Sequence, residues 1–190
     1  MKIQHVAKFT VERLIQYAIS QSDNVACDVL LRAMGGPQVI SKYFTDLGFK
    51  DIQIEVTERQ MQSEWILMQR NWITANTSSA ILSKFHDRQT TPLSEQTYTF
   101  FWQTMKETTT GDKRLKALLP QGTVVAHKTG TSDITGRGLI PATNDVGVIY
   151  LPDGSPVVIS VLVADSKENE ETNERIIAEI ARAVYDHYAR

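Results

Sequence analysis

The sequence predicts an α+β fold in which helices pack on an antiparallel sheet. Three observations carry this reading. Apolar residues recur at helical spacing through the first half, beginning with Val11, Leu14, Ile15, Ala18 and Ile19. Three apolar, β-branched runs then follow at about 122–129, 145–151 and 157–164, the last two joined by the turn Pro152-Asp153-Gly154-Ser155-Pro156. A final helix carries Ile176, Ile177, Ile180, Ala181 and Val184 on one face. Helices, then strands in hairpin order, then a helix give helices on one antiparallel sheet, not an alternating parallel one.

Thr10 is placed to cap the first helix. After the polar break Gln21-Ser22-Asp23-Asn24, residues 25–34 are apolar almost all round, which predicts a helix buried on most sides. Gly35-Gly36 ends it, and Pro37 opens a helix over about 37–47 that Gly48 closes. Residues 51–56 alternate as a short strand would. From Thr57 to Asn76 the periodicity is poor, and a loop of that length in a compact domain tends to be functional. Helices are expected at about 77–86 and 94–107, with Thr108-Thr109-Thr110-Gly111 breaking the second. Trp65, Trp72 and Trp102 are expected to serve packing. Three strands under one covering helix make a thin layer, so part of the sheet is expected to be missing.

The 190 residues are 42% hydrophobic and 22% charged with a net charge of −2, which suits one domain with a core of its own. That balance excludes an electrostatic case for nucleic acid or an anionic membrane as partner. A single cysteine excludes an intramolecular disulfide framework and leaves the compartment open. Cys27 itself is expected to be a small buried core residue. Four histidines without ligand spacing predict no metal, and no phosphate loop or other cofactor motif is present. Gly136-Arg137-Gly138 reads as an ordinary loop. No apolar run approaches the ~20 residues of a membrane span, and Met1 to Phe9 does not read as a signal peptide.

Two tripeptides carry chemistry. Ser22-Asp23-Asn24 sits at a helix–helix break, and Lys128-Thr129-Gly130 ends a strand and continues as Thr131-Ser132, 106 residues after Ser22. Each alone is weak; a Ser-Asp-Asn is also a plain turn or helix cap. Together, in this order, they resemble the signature of class A serine β-lactamases and penicillin-binding proteins. The resemblance runs from about Thr10 to the last helix. It includes Glu58 and Met61, Glu107 to Gly111, Arg114-Leu115, Leu119-Pro120, and Thr143 to Val148. Glu58-Arg59-Gln60-Met61, Gln69-Arg70-Asn71-Trp72 and Asp28 are most similar to the extended-spectrum PER/VEB-type subgroup.

The resemblance implies a β-lactamase/transpeptidase-like fold and hydrolysis of β-lactam antibiotics by serine acylation and Glu-assisted deacylation. It implies that Ser22 passes a proton to the leaving nitrogen, that Lys128 holds Ser22 and attracts the substrate carboxylate, and that Glu58 is the deacylation base. Asn24, Gln62, Thr129, Gly130, Thr131 and Ser132 are implied substrate-binding positions, with the Thr131 amide as an oxyanion donor. Gln62 stands where the family keeps an Asn. Lys128 also fits a surface strand lysine, Ser22 a helix cap and Glu58 a solvated loop carboxylate.

No serine of the chain has a lysine three residues on, so the family's Ser-x-x-Lys nucleophile is absent. The chain is therefore expected to be the C-terminal two thirds of such an enzyme. Residues 1–9 would be a non-family or recoded start and 10–190 the family domain, with a helical part at 10–120, an omega loop at about 57–76, and the sheet and last helix at 121–190. Such a chain is expected to lack turnover and to self-associate. The full-length enzyme would be monomeric and periplasmic or secreted. An inactive remnant is the alternative; a D-Ala-D-Ala peptidase is disfavoured by the Glu58 pattern.

Overall fold

The computed structural model describes residues 7–89 and 93–189; residues 1–6, and with them most of the expected non-family start, lie outside the described residues, as does the side chain of Trp65. The elements in order are α1 (Val11–Ser20), α2 (Asn24–Ala33), α3 (Pro37–Asp46), β1 (Ile52–Gln53), α4 (Glu58–Ser63), α5 (Trp65–Met68), β2 (Trp72–Ile73), α6 (Ala75–His86), α7 (Glu95–Lys106), β3 (Val125–Thr131), β4 (Ile140–Tyr150), β5 (Pro156–Ser166) and α8 (Glu170–Tyr188). Strands β3, β4 and β5 form one antiparallel sheet in that order.

Alternation along β3 divides the core between two sides of the sheet. Val125 packs with Leu115, Ile149, Ile177 and Ala181 beneath α8. Ala126 packs with Trp102, Met105 and Val148 against α6 and α7. Trp102 is 4% exposed, as a packing residue should be. Lys128 shares the Ala126 face, so its side chain is aimed at the helical part. Gly147, opposite His127, makes this layering possible. A Cβ there would lie 2.3 Å from the Ala126 carbonyl and 2.7 Å from His127 Cβ.

Local chemistry explains most boundaries. Thr10 caps α1 by accepting from the Arg13 amide at 3.1 Å. Gly35, Gly36 and Gly48 take positive φ at the ends of α2 and α3. The 57–76 stretch, expected as a loop, contains α4, α5 and β2. Its neck is closed by the β1–β2 pair, Ile52 with Ile73 and Gln53 with Trp72. The Asn71 carboxamide fastens it further, accepting from the Glu55 and Val56 amides and donating to the Val56 carbonyl.

Two packing expectations are corrected. Helix α2 is not buried on most sides: only Ala26 is buried, Val25 is 73% exposed and Leu30 and Leu31 are half-buried. Nothing among the described residues covers the Val25–Val29 face. Trp72 is 45% exposed, with its indole N–H donating to the Gln53 side chain at 3.0 Å, so it packs little.

Candidate active site

Ser22 sits in the turn between α1 and α2 with φ of +54°, a left-handed backbone that a serine adopts only under tertiary constraint. The turn closes when the Gln21 and Asp23 amides both donate to the Tyr17 carbonyl. Asp23, not Ser22, caps α2: its carboxylate accepts from the Ala26 amide at 2.7 Å. The Ser22 hydroxyl is thereby released for another partner. That partner is Lys128, whose Nζ donates to Ser22 Oγ at 2.6 Å and to the Thr129 carbonyl at 2.6 Å.

A run of threonines after α7 brings the two motifs together. Thr108 Oγ1 donates to the His127 carbonyl on β3. The Thr109 amide and hydroxyl both donate to the Ser20 carbonyl at the end of α1. Thr110 Oγ1 meets Thr129 Oγ1 at 2.7 Å. Three consecutive side chains thus clamp the Ser22 turn to the Lys128 strand. Gly111 follows with φ of +76°, and a Cβ there would strike the Thr129 methyl at 2.4 Å.

Glu58 is the first residue of α4, after the N-cap Thr57. Its amide and that of Arg59 donate to the Asp28 carboxylate of α2 at 2.7 and 3.0 Å. Burial first, and then the charge of Asp28, push the Glu58 carboxyl above its ordinary range, while Lys128 pulls it back. Lys128 is held below its ordinary range, chiefly by burial, with Glu58, Cys27 and Asp145 acting against that. Cys27 lies among these groups, half-buried and not in the core as expected; burial and the Glu58 and Asp28 carboxylates push its thiol up to about 11. It is therefore a poor nucleophile.

The other expected site residues divide. Asn24 is exposed at the first turn of α2, and Gln62 is exposed one turn after Glu58. The Thr129 side chain is buried on the sheet face opposite Lys128, where Thr110 takes its hydroxyl. The Ser132 hydroxyl is bound to both the amide and the carbonyl of Ala142. Because the Ser132 amide donates to the Ala142 carbonyl, backbone alternation points the Thr131 N–H away from β4, along the free edge of β3. Along that edge the His127 and Thr129 carbonyls are already occupied by Thr108 and Lys128.

Arg114 is a site residue that no role was assigned from sequence. Its guanidinium is buried under the end of β3. It donates to Thr131 Oγ1 at 2.8 Å, to the Asn144 carbonyl at 3.0 Å and to the Gly130 carbonyl at 3.3 Å, and pairs with Glu174 at 3.2 Å. Arg114 and Lys128 thus put two cations on either side of the Thr129–Thr131 segment.

The family model of the β-lactamase enzyme family matches residues 1–188. The chain belongs to the β-lactamase enzyme family. It is 45% identical to β-lactamase VEB-1 of Pseudomonas aeruginosa over 179 residues, 94% of this chain and 60% of the relative. It is 47% identical to the extended-spectrum β-lactamase PER-1 of Pseudomonas aeruginosa over 175 residues, 92% of this chain and 56% of the relative. The crystal structure of TLA-3 extended-spectrum β-lactamase superposes with a TM-score of 0.93 at 43% identity, covering 97% of this chain and 66% of that one. A class A β-lactamase from Bacteroides cellulosilyticus gives a TM-score of 0.92 at 34% identity. The resemblance to extended-spectrum class A β-lactamases thus holds in sequence and in fold. The chain spans 60% and 56% of the length of the two curated relatives VEB-1 and PER-1.

Proposed function

We propose that this chain supplies the proton relay, the deacylation carboxylate and the carboxylate anchor of a β-lactam-hydrolysing serine site. The observation that carries this reading is the 2.6 Å contact between Lys128 Nζ and Ser22 Oγ, made by residues 106 apart in sequence.

Since the ammonium donates to Ser22 Oγ, the hydroxyl's own proton is directed elsewhere and is available to the nitrogen that departs when the lactam opens. Lys128 supplies positive charge for the substrate carboxylate, and the buried Arg114, its N–H groups held by Glu174, Gly130, Asn144 and Thr131, adds to that charge from behind the strand. The outward Thr131 N–H is an oxyanion donor, and the exposed Asn24 amide faces the substrate side chain. Glu58, raised by burial and by Asp28, is a stronger base than an ordinary carboxylate and suits the activation of a deacylating water. Gln62 assists on the same helix. Gly130 and Ser132 act through the shape of β3.

The 190 residues contain no Ser-x-x-Lys, so no nucleophile is assigned within them. We infer that this chain alone does not turn over β-lactams, and that it becomes competent only with a segment supplying that nucleophile; without one it is an inactive remnant. In the whole protein the reaction takes place in the periplasm or outside the cell. Among the described residues no helix is long and apolar enough to cross a membrane.

Nitrocefin hydrolysis tests the reading. Purified chain should give none, and a co-expressed fragment carrying Ser-x-x-Lys should restore it. That activity should fall by several orders of magnitude on Lys128→Ala. Turnover by the chain alone, abolished by Ser22→Ala, would instead make Ser22 the attacking residue.

A further inference from the structure

Beneath the Lys128 strand lies a second polar cluster that the proposed reaction does not use. Asp145 on β4 and His127 on β3 are both completely buried. His127 Nδ1 lies 2.9 and 3.0 Å from the two Asp145 carboxylate oxygens. A carboxylate has no proton to give, so the ring donates from Nδ1. The other ring nitrogen, Nε2, is buried with no hydrogen-bond partner among the described residues. Asp145 Oδ2 also accepts the Leu115 amide at 3.2 Å. A buried histidine–carboxylate pair with an orphaned nitrogen adds little to stability over two apolar residues of the same volume. A pair of this kind is better explained by the geometry it imposes.

That geometry is specific. His127 is the residue before Lys128, and Leu115 is the residue after Arg114. One carboxylate therefore holds the chain immediately beside each of the two cations. Arg114 reaches across the same strands, to the carbonyl of Asn144, the neighbour of Asp145, and to Gly130 and Thr131. Asp145 lies opposite Thr129, midway between the Lys128 and Gly130 rungs.

We infer that Asp145 is a positioning residue for the anion-binding edge of the site, holding Lys128 through His127 and Arg114 through the Leu115 amide. The inference rests on the reading of Lys128 and Arg114 as the substrate-carboxylate anchor. Asp145 touches no substrate. It sets the spacing of the two cations and adds a fixed negative charge behind the ammonium. Glu58 and Cys27 act on Lys128 in the same direction as Asp145, and Arg114 in the opposite one.

The test is side-chain nitrogen NMR on this chain, with no β-lactam present. In Asp145→Asn the Lys128 titration midpoint should fall below that of the wild type, and the Arg114 Nε–H should exchange with solvent at least tenfold faster. In His127→Gln, which leaves the Asp145 carboxylate and its bond to Leu115 in place, Arg114 exchange should stay within twofold of wild type. A packing role alone would move neither the Lys128 midpoint nor the contrast between the two variants. Unchanged Lys128 and Arg114 signals in Asp145→Asn would overturn the inference. Should that variant fail to fold, the wild-type Leu115 amide decides: exchange as slow as the β3–β4 ladder supports the hub, and exchange at loop rates overturns it. Failed complementation in the nitrocefin assay would refute the proposed function and leave these readouts intact.

Discussion

Lys128 Nζ donates to Ser22 Oγ at 2.6 Å, and it does so while Ser22 holds a left-handed backbone. Position and strain are linked. The turn that exposes the hydroxyl to Lys128 is the one a side chain disfavours, by roughly 1 kcal/mol for a residue with a Cβ. Ser22→Gly and Ser22→Ala both lose the bond to Lys128, yet only Gly relieves the backbone. Urea denaturation should find Ser22→Gly more stable than Ser22→Ala by about 1 kcal/mol. Equal midpoints would mean that position 22 is not left-handed in solution.

Glu58 should make the fold less stable as pH rises. Its carboxyl is raised in the folded state by burial and Asp28, so the folded chain binds that proton more tightly than the unfolded one. Stability from this group is present below the ordinary carboxylate range and is lost as pH climbs from there through the raised folded value. Glu58→Gln has no such charge to bury. It should melt above the wild type at neutral pH, with the advantage fading in acid. Thermal melts across pH check this, and a lower melting point for Glu58→Gln at neutral pH contradicts it.

Asp28 should govern the order of the segment that carries Glu58. It is the acceptor for the first two amides of α4. Asp28→Ala leaves both without it. Hydrogen exchange at the Glu58 and Arg59 amides should then report a local opening easier by about 2 kcal/mol, the scale of a hydrogen bond to a charged group. Amides of β4 should be unaffected.

Gly147→Ala should be among the most damaging single changes outside the site. Its methyl would meet backbone, the Ala126 carbonyl, where no rotamer offers escape. The expected loss is about 3 kcal/mol or more, the upper range of overpacking. Denaturant unfolding measures it, and a loss below about 1 kcal/mol would show that β3 and β4 separate easily.

The sequence made the periodic elements legible and the short or long-range ones much less so. Helix α1 with its Thr10 cap and the three strands stood out because each repeats its signal over several residues. Helices α4 and α5 are too short to show a period. The only local signal for α4 is Thr57 with Gln60, the capping box that the structure contains. Strand β4 begins at Ile140, not near 145; Pro141 hides its start, tolerated because β4 there runs past the last β3 rung at Thr131. The tripeptides indicated that Ser22 and Lys128 meet. Strand alternation alone would have turned the Thr129 side chain to the face opposite Lys128. Arg114 had no local signal, because its partners are groups 16 to 60 residues distant. The apolar count of α2 could not reveal which of its faces would find a neighbour.

The free margin of β3 has one more consequence. A bare strand margin is an invitation to any extended peptide, since it offers a ladder of donors and acceptors in succession. Here that ladder has lost its rungs: Thr108 and Lys128 occupy the His127 and Thr129 carbonyls. What is left is a row of outward amides ending at that of Thr131, without the free carbonyls that should alternate with them. A polypeptide needs consecutive rungs to anneal, whereas a compact molecule with one carbonyl needs only that amide. The same two side chains that join the Ser22 turn to β3 therefore also make this margin a poor template for an extended chain.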